Sequence, residues 1–284
     1  MLKQRVLTAL ILLAILLPAL FYSNPEPFTL VVLLLLAAGA WEWGRLNGVS
    51  FPGSLLLGLA CVAMCAASWA LGWANRSTPG LWIAAGGLWT LGGGWLLQRG
   101  VAGWAHMNRP LRVAGGLLAL WLTWLAVAQA RAIGVNFLLS VLALVWIADI
   151  AAYFAGRTFG QRFTRERLAP SISPGKSWEG VWGGMTGVVL LSVVWCLADR
   201  HWQLSVPSFY SQLLKMGDWF MVLAVLFMAA MSVVGDLVES LIKRSAGVKD
   251  SSGLLPGHGG VLDRVDALLP TLPLAMMLVT AVRV

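Results

Sequence analysis

Long apolar runs alternate with short polar stretches along most of this chain. A helix needs about 20 mainly apolar residues to cross a bilayer, and nine stretches approach that length. Their apolar positions are continuous rather than alternating, which excludes a β-barrel. The pattern therefore predicts an all-α polytopic membrane protein with about nine transmembrane helices. The predicted spans are 6–22, 28–44, 53–73, 80–97, 113–131, 137–156, 178–198, 219–242 and 266–282.

Two of these spans are irregular in sequence. The fourth is the weakest, because glycines at 86–87 and 92–94 loosen it. The last contains Pro270 and Pro273. Proline removes a helical hydrogen bond and clashes with the preceding turn, so we expect a kink or an irregular turn where this span starts.

Composition excludes other classes of protein. Hydrophobic residues make up 59% of the 284 residues and charged residues only 11%, whereas an ordinary soluble domain is about 25% charged. A soluble globular enzyme is excluded because it has no way to cover this much apolar surface, and a disordered chain is excluded for the same reason.

Basic residues predict the orientation in the membrane. The chain has 20 Lys and Arg against 12 Asp and Glu, a net charge of +8. In a membrane protein this excess indicates cytoplasmic loops and anionic headgroups, not nucleic acid. With nine spans and a cytoplasmic N-terminus, about three quarters of the basic residues fall on the cytoplasmic side. We therefore expect the N-terminus to lie inside.

Polar residues divide the chain unequally. Residues 1–132 form an apolar N-terminal part, whereas residues 133–284 carry most of the polar side chains within the spans. The second part also contains two long cytoplasmic loops, 156–177 and 243–265, rich in Gly, Pro and charge. We expect it to carry the chemistry. No internal repeat is evident, which disfavours a transporter built from repeated halves.

Carboxylates within predicted spans are candidate functional groups, because a charge inside a bilayer is costly. They are Glu42, Asp149, Glu179, Asp236 and Glu239. In the eighth span the spacing of Asp236, Glu239, Ser240 and Lys243 places them on one face of a helix. The alternative is a pairing with Lys or Arg that only holds helices together, and this alternative is strongest for Glu42.

The segment that follows the eighth span combines basic, glycine-rich and acidic elements. Three basic residues come first, then a glycine-rich turn with one histidine, then Asp-Arg-Val-Asp at 263–266. Lys and Arg match phosphate oxygens, glycines let backbone N–H groups approach an anion, and carboxylates suit Mg²⁺ with its bound phosphates. The segment thus indicates a phosphoryl or nucleotidyl transfer centre.

This segment resembles the signature of the phosphatidate cytidylyltransferase family, also called CDP-diacylglycerol synthase. Two further elements of the chain are similar to that family: Asp149-x-x-Ala-Tyr153-x-x-Gly156-Arg157, and Ser173-Pro-x-Lys176-Ser177-x-Glu179-Gly180, in which Ser177 stands where Thr is usual. The signature is met at Ser240, Lys243, Arg244, Lys249, Asp250, Pro256, His258, Gly259, Gly260, Asp263, Arg264 and Asp266.

The resemblance implies a reaction and its setting. CTP and phosphatidate would give CDP-diacylglycerol and pyrophosphate in phospholipid biosynthesis. The implied cofactor is Mg²⁺, with a second cation left open, and the implied assembly is a homodimer in the lipid bilayer. We expect a bacterial inner-membrane enzyme with its active site on the cytoplasmic side.

Roles for individual residues follow from the resemblance and from the chemistry of each side chain. As metal ligands we expect chiefly Asp236 and Asp263, supported by Asp149 and Asp266. The expected catalytic residues are Asp236, Asp263, Lys243, Arg264 and His258. The expected substrate-binding residues are Lys176, Ser173, Arg157, Arg244, Lys249, Gly259 and Gly260. Glu179 and Glu239 are expected to orient a lysine or a metal-bound water.

Other functions agree less well with the sequence. A CTP-dependent lipid kinase, which transfers the γ-phosphoryl group, has a similar composition, but the complete signature argues against it. A transporter or channel would use the buried carboxylates for ions, and the glycine–histidine loop disfavours that reading. A non-catalytic scaffold is expected to have lost signature residues, and none is missing.

Overall fold

The computed structural model describes residues 2–283 and is almost entirely helical. One short antiparallel hairpin, β1 (Arg167–Ala169) and β2 (Ser173–Ser177), interrupts the helices. The helices are α1 (Leu2–Phe21), α2 (Glu26–Leu46), α3 (Phe51–Ala70), α4 (Pro79–Gly87), α5 (Gly93–His106), α6 (Arg109–Ile133), α7 (Val135–Phe159), α8 (Trp178–His201), α9 (Phe209–Leu214), α10 (Asp218–Ser245), α11 (Leu262–Val265) and α12 (Leu268–Arg283).

The predicted all-α membrane architecture is confirmed. Within residues 2–283, eight helical stretches are long and apolar enough to cross a bilayer. They are α1, α2, α3, α6, α7, α8, α10 and the α11–α12 stretch at Leu262–Val282. Each coincides with a span expected from the apolar pattern.

The remaining predicted span, 80–97, is helical but irregular. α4 runs into a π-helical turn at Leu88–Gly92 and then into α5, so that helical structure continues from residue 79 to residue 106. The backbone at Gly100 leaves the helical conformation, with φ +67° and ψ −170°. A run of this length suffices to cross a bilayer, although its parts are individually too short.

The position of α1 shows that this irregular run crosses. Thr8 Oγ1, near the start of α1, donates a hydrogen bond of 2.9 Å to the carbonyl of Pro256, in the loop that follows α10. These two points therefore lie at the same face of the molecule, so an even number of crossings must separate them. The long helices between them, α1 to α3, α6 to α8 and α10, are seven. The run 79–106 supplies the eighth, which gives nine spans with α11–α12.

The last span begins irregularly, as its prolines predict. The short helix α11 ends at Val265, a turn covers 266–267, and α12 begins at Leu268. Gly235 of α10 lies against this turn, because a Cβ there would be 2.5 Å from the Asp266 carbonyl oxygen and 2.8 Å from the Pro270 ring. The absence of a side chain thus lets α10 reach the residues that open the final span.

Small residues also bring α7 and α8 together. Gly180 and Gly184 of α8 lie against the carbonyl oxygens of Ala152 and Ala148 in α7. Close approach through small residues is the usual way in which membrane helices associate. The contact fixes the two helices that carry the loop 156–177 between them.

The hairpin in that loop was not predicted from the apolar pattern. β1 and β2 pair antiparallel, and Ser177 at the end of β2 caps α8 by accepting a hydrogen bond from the Gly180 N–H. The division of the chain at 132/133 falls at the last turn of α6. That the two parts differ in role stays a prediction.

Candidate functional site

A cavity of about 400 Å³ lies between α7, α8, α10 and β2. Apolar and small side chains form most of its wall, and its polar groups include the Tyr153 hydroxyl and the side chains of Asp149, Arg157, Lys176, Ser177 and Asp236. Asp149 and Asp236 lie on two different spans, α7 and α10. Arg157 comes from the end of α7, and Lys176 and Ser177 come from β2. The structure therefore brings together residues from all the polar elements except the signature loop itself.

An ion pair joins the two sides of this cavity. Lys176 Nζ of β2 lies 2.5 Å from Asp236 Oδ2 of α10, and about 30% of each side chain is exposed (27% and 32%). Ser240 Oγ, one turn further along α10, donates to Asp236 Oδ1 at 3.3 Å. The carboxylate thus keeps an accessible face towards the cavity.

Further acidic groups lie within electrostatic reach of Asp236. Asp149 in α7 and Asp266 in the turn before α12 both interact with it, and also with each other. Three carboxylates from three different spans therefore share one region. Like charges in a partly buried place repel, so this region attracts cations.

The signature loop is organised around the carboxylate of Asp263. Its Oδ2 accepts hydrogen bonds from the N–H groups of Ser251 and Gly260, at 2.9 and 2.7 Å, and from Ser251 Oγ at 2.9 Å. Its Oδ1 accepts one from Lys243 Nζ at 2.6 Å. Asp263 therefore holds the loop closed onto the end of α10.

Lys243 lies between two carboxylates. Besides Asp263 it contacts Glu239 Oε2 at 2.5 Å, one turn back on α10. Only 12% of the Lys243 side chain is exposed. Glu239 thus orients a lysine, which is one of the two roles expected for it.

Glycines shape the turn between the basic and acidic parts of the signature. Gly259 has φ +84°, a conformation that favours glycine, and its carbonyl oxygen accepts a hydrogen bond from the Leu255 N–H. The carbonyl of His258 accepts two hydrogen bonds from the Arg264 guanidinium, at 3.1 and 2.7 Å. The buried Nδ1 of His258 has no hydrogen-bond partner among residues 2–283.

The remaining predicted binding residues lie around this region with more exposure. Arg157 donates to the Tyr153 hydroxyl at 2.9 Å. Arg244 Nε donates to the Ile172 carbonyl at 3.3 Å, which joins the signature loop to the hairpin loop. Lys249 is exposed, and Ser173 is half-buried in β2. The two long polar loops therefore meet at one end of the molecule.

Glu42, one of the candidate functional carboxylates, binds the signature loop, although no specific role was predicted for it. Its carboxylate is fully buried and accepts hydrogen bonds from the N–H groups of Val261 and Leu262, at 2.9 and 2.8 Å. It also accepts from the hydroxyls of Ser251 and Ser252, at 3.2 and 2.5 Å. The alternative of a pairing with Lys or Arg is therefore wrong. The cost of a buried carboxylate in an apolar span was the signal in the sequence.

Glu179 has a similar part in the other loop. Its Oε1 accepts hydrogen bonds from the N–H groups of Phe163 and Thr164, at 3.0 and 2.8 Å, and from Thr164 Oγ1 at 2.9 Å. These contacts hold the loop backbone. In the structure Glu179 therefore stabilises the loop 156–177 by hydrogen bonds and does not orient a lysine.

Some of the carboxylates fit the chemistry of a divalent-ion site. Within residues 2–283, no three His, Cys, Asp or Glu side chains converge as a complete metal site. Mg²⁺, however, is usually bound by one or two carboxylates together with waters and substrate phosphates. Asp149 and Asp236, which face one cavity, fit that chemistry. The oxygens of Asp263 already accept four hydrogen bonds, so its role as a ligand stays a prediction.

Comparison with known proteins agrees with the resemblance in the signature. The profile of the cytidylyltransferase family matches residues 3–282. A protein of Pseudomonas aeruginosa named phosphatidate cytidylyltransferase is 38% identical over 99% of this chain and 98% of its own length. A Haemophilus influenzae protein of the same name is 35% identical over 96% of both. In Bacillus subtilis, a third protein of that name is 37% identical over 49% of this chain and 46% of its own. The chain belongs to the cytidylyltransferase family.

Proposed function

We propose that this protein transfers CMP from CTP to phosphatidate, giving CDP-diacylglycerol and pyrophosphate. One observation carries the proposal: lysines of two separate polar segments and the carboxylates that pair with them converge at one end of a membrane-embedded helix bundle. Lys176 pairs with Asp236, and Lys243 pairs with Asp263. Such a site neutralises anions beside a lipid phase, which is what joining a lipid phosphate to a nucleotide requires.

The chemistry demands little acid or base assistance. A phosphate monoester has a second pKa of about 6, so the phosphatidate oxygen is already anionic near neutral pH. That oxygen forms a bond to the α-phosphorus of CTP, and the bond between this phosphorus and the β-phosphate bridging oxygen breaks. Pyrophosphate leaves with the electron pair. The barrier is the approach of two anions, so catalysis is mainly electrostatic.

In this proposal the basic side chains provide the opposing charge. Lys176 and Arg157 face the cavity from the hairpin loop and α7, and they bind phosphate oxygens of the nucleotide. Lys243, Arg244, Lys249 and Arg264 act from the signature loop on the lipid phosphate and the departing pyrophosphate. Ser173 donates a hydrogen bond to a phosphate, and His258 contacts the leaving group. Gly259 and Gly260 let the loop backbone approach the phosphates.

Asp149 and Asp236 would hold Mg²⁺, with Asp266 and Asp263 as further candidates. When bound, the ion would neutralise phosphate oxygens and polarise the reacting phosphorus. Lys176 pairs with Asp236 and Lys243 with Asp263, and a substrate phosphate would replace a carboxylate as the partner of each ammonium group. The number of cations is left open.

We place the enzyme in the inner membrane of a bacterium, with the site on the cytoplasmic side where CTP is available. The positive-inside distribution supports this orientation. The relatives named above are bacterial, and the expected homodimer rests on the family resemblance.

Isotope transfer tests the proposed reaction against the lipid kinase. Purified protein in detergent micelles is supplied with phosphatidate, Mg²⁺ and CTP labelled at either the α- or the γ-phosphorus. We expect α-label in the lipid and γ-label in pyrophosphate. Transfer of γ-label to the lipid would establish a kinase and overturn the proposal. Protein with Asp236→Asn serves as the inactive control.

A further inference from the structure

A second cavity lies beside a different face of α10 from the polar one. It measures about 310 Å³ and lies between α10, α5 and α6, with α2 and the start of α11 closing one end. Its wall is apolar and rich in aromatic and small residues, including Trp43, Trp104, Gly115, Gly235, Ile242 and Leu262. Gly235 and Asp236 are neighbours in sequence but face different cavities. A single helix therefore separates a polar site from an apolar one.

This apolar cavity has a positive charge in its wall. Arg112, in the first turn of α6, lines it, and its guanidinium carbon lies 5.8 Å from the centre of the Trp104 ring. The buried Nε of Arg112 has no hydrogen-bond partner in the part of the chain that the structure describes. The run 79–106 ends just before α6, at the face that carries the signature loop. The charge thus lies at the cytoplasmic end of an apolar cavity.

The other charged group in the wall is already neutralised. Glu239 is buried, and its Oε2 forms the 2.5 Å ion pair with Lys243. Lys243 also forms an ion pair with Asp263 in the signature loop. Leu262 of the same loop lines the cavity directly. Side chains of α10 and α11 therefore link the wall of the apolar cavity to the proposed reaction centre.

We propose that this cavity receives one acyl chain of the lipid substrate, with Arg112 facing the anionic end of the lipid. The inference rests on the proposed function, because it names the place of a substrate that the function requires. An anionic amphiphile matches both features of the cavity: an apolar interior, and near the signature loop a guanidinium whose Nε has no hydrogen-bond partner in the described part of the chain. The volume is near the lower end of ligand sites, about 300–1,000 Å³, so it admits one chain rather than two.

Glycines in the wall allow a filling experiment. A Cβ at Gly115 would have no other atom within 4 Å, and the same is true at Gly94, which does not line the cavity. Gly115→Leu therefore places a side chain in the free space, and Gly94→Leu is the matched control. The rates are measured with dioleoyl and dioctanoyl phosphatidate in mixed micelles at saturating CTP.

We expect Gly115→Leu to lower kcat/KM for the long-chain lipid at least tenfold relative to the short-chain lipid, with KM for CTP unchanged. Gly94→Leu should keep the wild-type ratio. An equal loss on both lipids, or no change in the ratio, would overturn the inference.

Photolabelling of the unmodified protein provides a readout that does not depend on turnover or on a variant's folding. The probe is a phosphatidate with a diazirine near the end of one acyl chain. Label in peptides from 88–122 supports the inference, and label confined to α7 and α8 refutes it. If the lipid labels 88–122 but no cytidine-bearing product forms from wild type, the proposed reaction fails while the lipid site stands.

Discussion

At the level of single residues, the carboxylates within the spans have two roles. Some hold a polar loop in place by hydrogen bonds, and others face the polar cavity. Glu42 and Glu179 each accept hydrogen bonds from backbone N–H groups and from hydroxyls of a polar loop. Asp236 instead accepts only from side chains and faces the cavity. The sequence position of a carboxylate does not tell whether it binds a loop or faces the cavity. The hydrogen-bond donors around it do: backbone N–H groups surround the loop-binding carboxylates, and side chains surround Asp236.

Replacement of Glu42 by Gln tests the fastening role. A glutamine side chain accepts at one oxygen and places an N–H₂ group against donors at the other, so at least one buried donor loses its acceptor. Such a loss costs about 1–3 kcal/mol. We expect the signature loop to loosen, with kcat/KM for CTP at least tenfold lower and a reduced Tm in detergent.

Glu26→Gln is the matched control, because Glu26 is an exposed residue of the same helix. It should behave as wild type. Wild-type activity in Glu42→Gln would show that the four hydrogen bonds do not matter for the site.

Asp236 and Asp263 are expected to respond differently to the same change. Asp236→Asn removes charge from the cavity but leaves one oxygen for Ser240, so activity should fall by about 10²–10³, the range for loss of one electrostatic contact in a transition state, with little change in Tm. Asp263→Asn disturbs four hydrogen bonds, so both activity and Tm should fall. Turnover and thermal unfolding are measured on the same detergent-purified samples.

The control for both is Asp218→Asn, an exposed residue in the first turn of α10. Near-normal activity in Asp236→Asn would remove this residue from the site. An unchanged Tm in Asp263→Asn would show that its hydrogen bonds do not hold the loop.

At the scale of elements, α10 and the signature loop act as one unit. One face of α10 presents Asp236 to the polar cavity, and the adjacent face presents Glu239 to the apolar one. The loop then folds back so that Gly260 lies against both Ser251 and Glu42. The glycine is needed there because a Cβ would overlap the Ser251 hydroxyl and the Glu42 carboxylate.

Two alanine substitutions in the same loop separate this packing requirement from general loop flexibility. Gly260→Ala should displace the loop and lower kcat/KM more than tenfold. Gly253→Ala should be neutral, because a Cβ there would meet no atom within 4 Å. Equal activities for the two variants would contradict the close contact. The rates are compared at matched amounts of folded protein, measured by size-exclusion chromatography.

The sequence predicted those structural elements that depend on residues close together in the chain. Apolar length is a property of contiguous residues, so the spans and the broken start of α12 were predicted correctly. The hairpin at 167–177 was missed because polar strands of three and five residues leave no apolar pattern. The partners of Glu42 were missed because they lie more than 200 positions away in the chain. The second cavity was missed because it arises only when α5, α6 and α10 pack together.

At the scale of the whole molecule, the irregular run 79–106 determines which face of the membrane carries the chemistry. If it crosses, the N-terminus, the hairpin loop and the signature loop share one side. If it did not cross, both loops would lie opposite the N-terminus. The hydrogen bond from Thr8 to Pro256 is compatible only with the first arrangement. The side of the membrane on which both loops lie, relative to the N-terminus, therefore depends on the span that was weakest in the sequence.

Single-cysteine labelling in intact cells tests this topology. The native cysteines Cys61, Cys65 and Cys196 are buried in helices and are first replaced by Ala. Cysteine is then introduced at the exposed positions Asn75 and Asn108, which precede and follow the run, and at Gly253 in the signature loop. An impermeant maleimide should label position 75 in intact cells, and positions 108 and 253 only after the membrane is permeabilised. Labelling of 75 and 108 from the same side would show that the run does not cross, and the shared face for α1 and the signature loop would then be wrong.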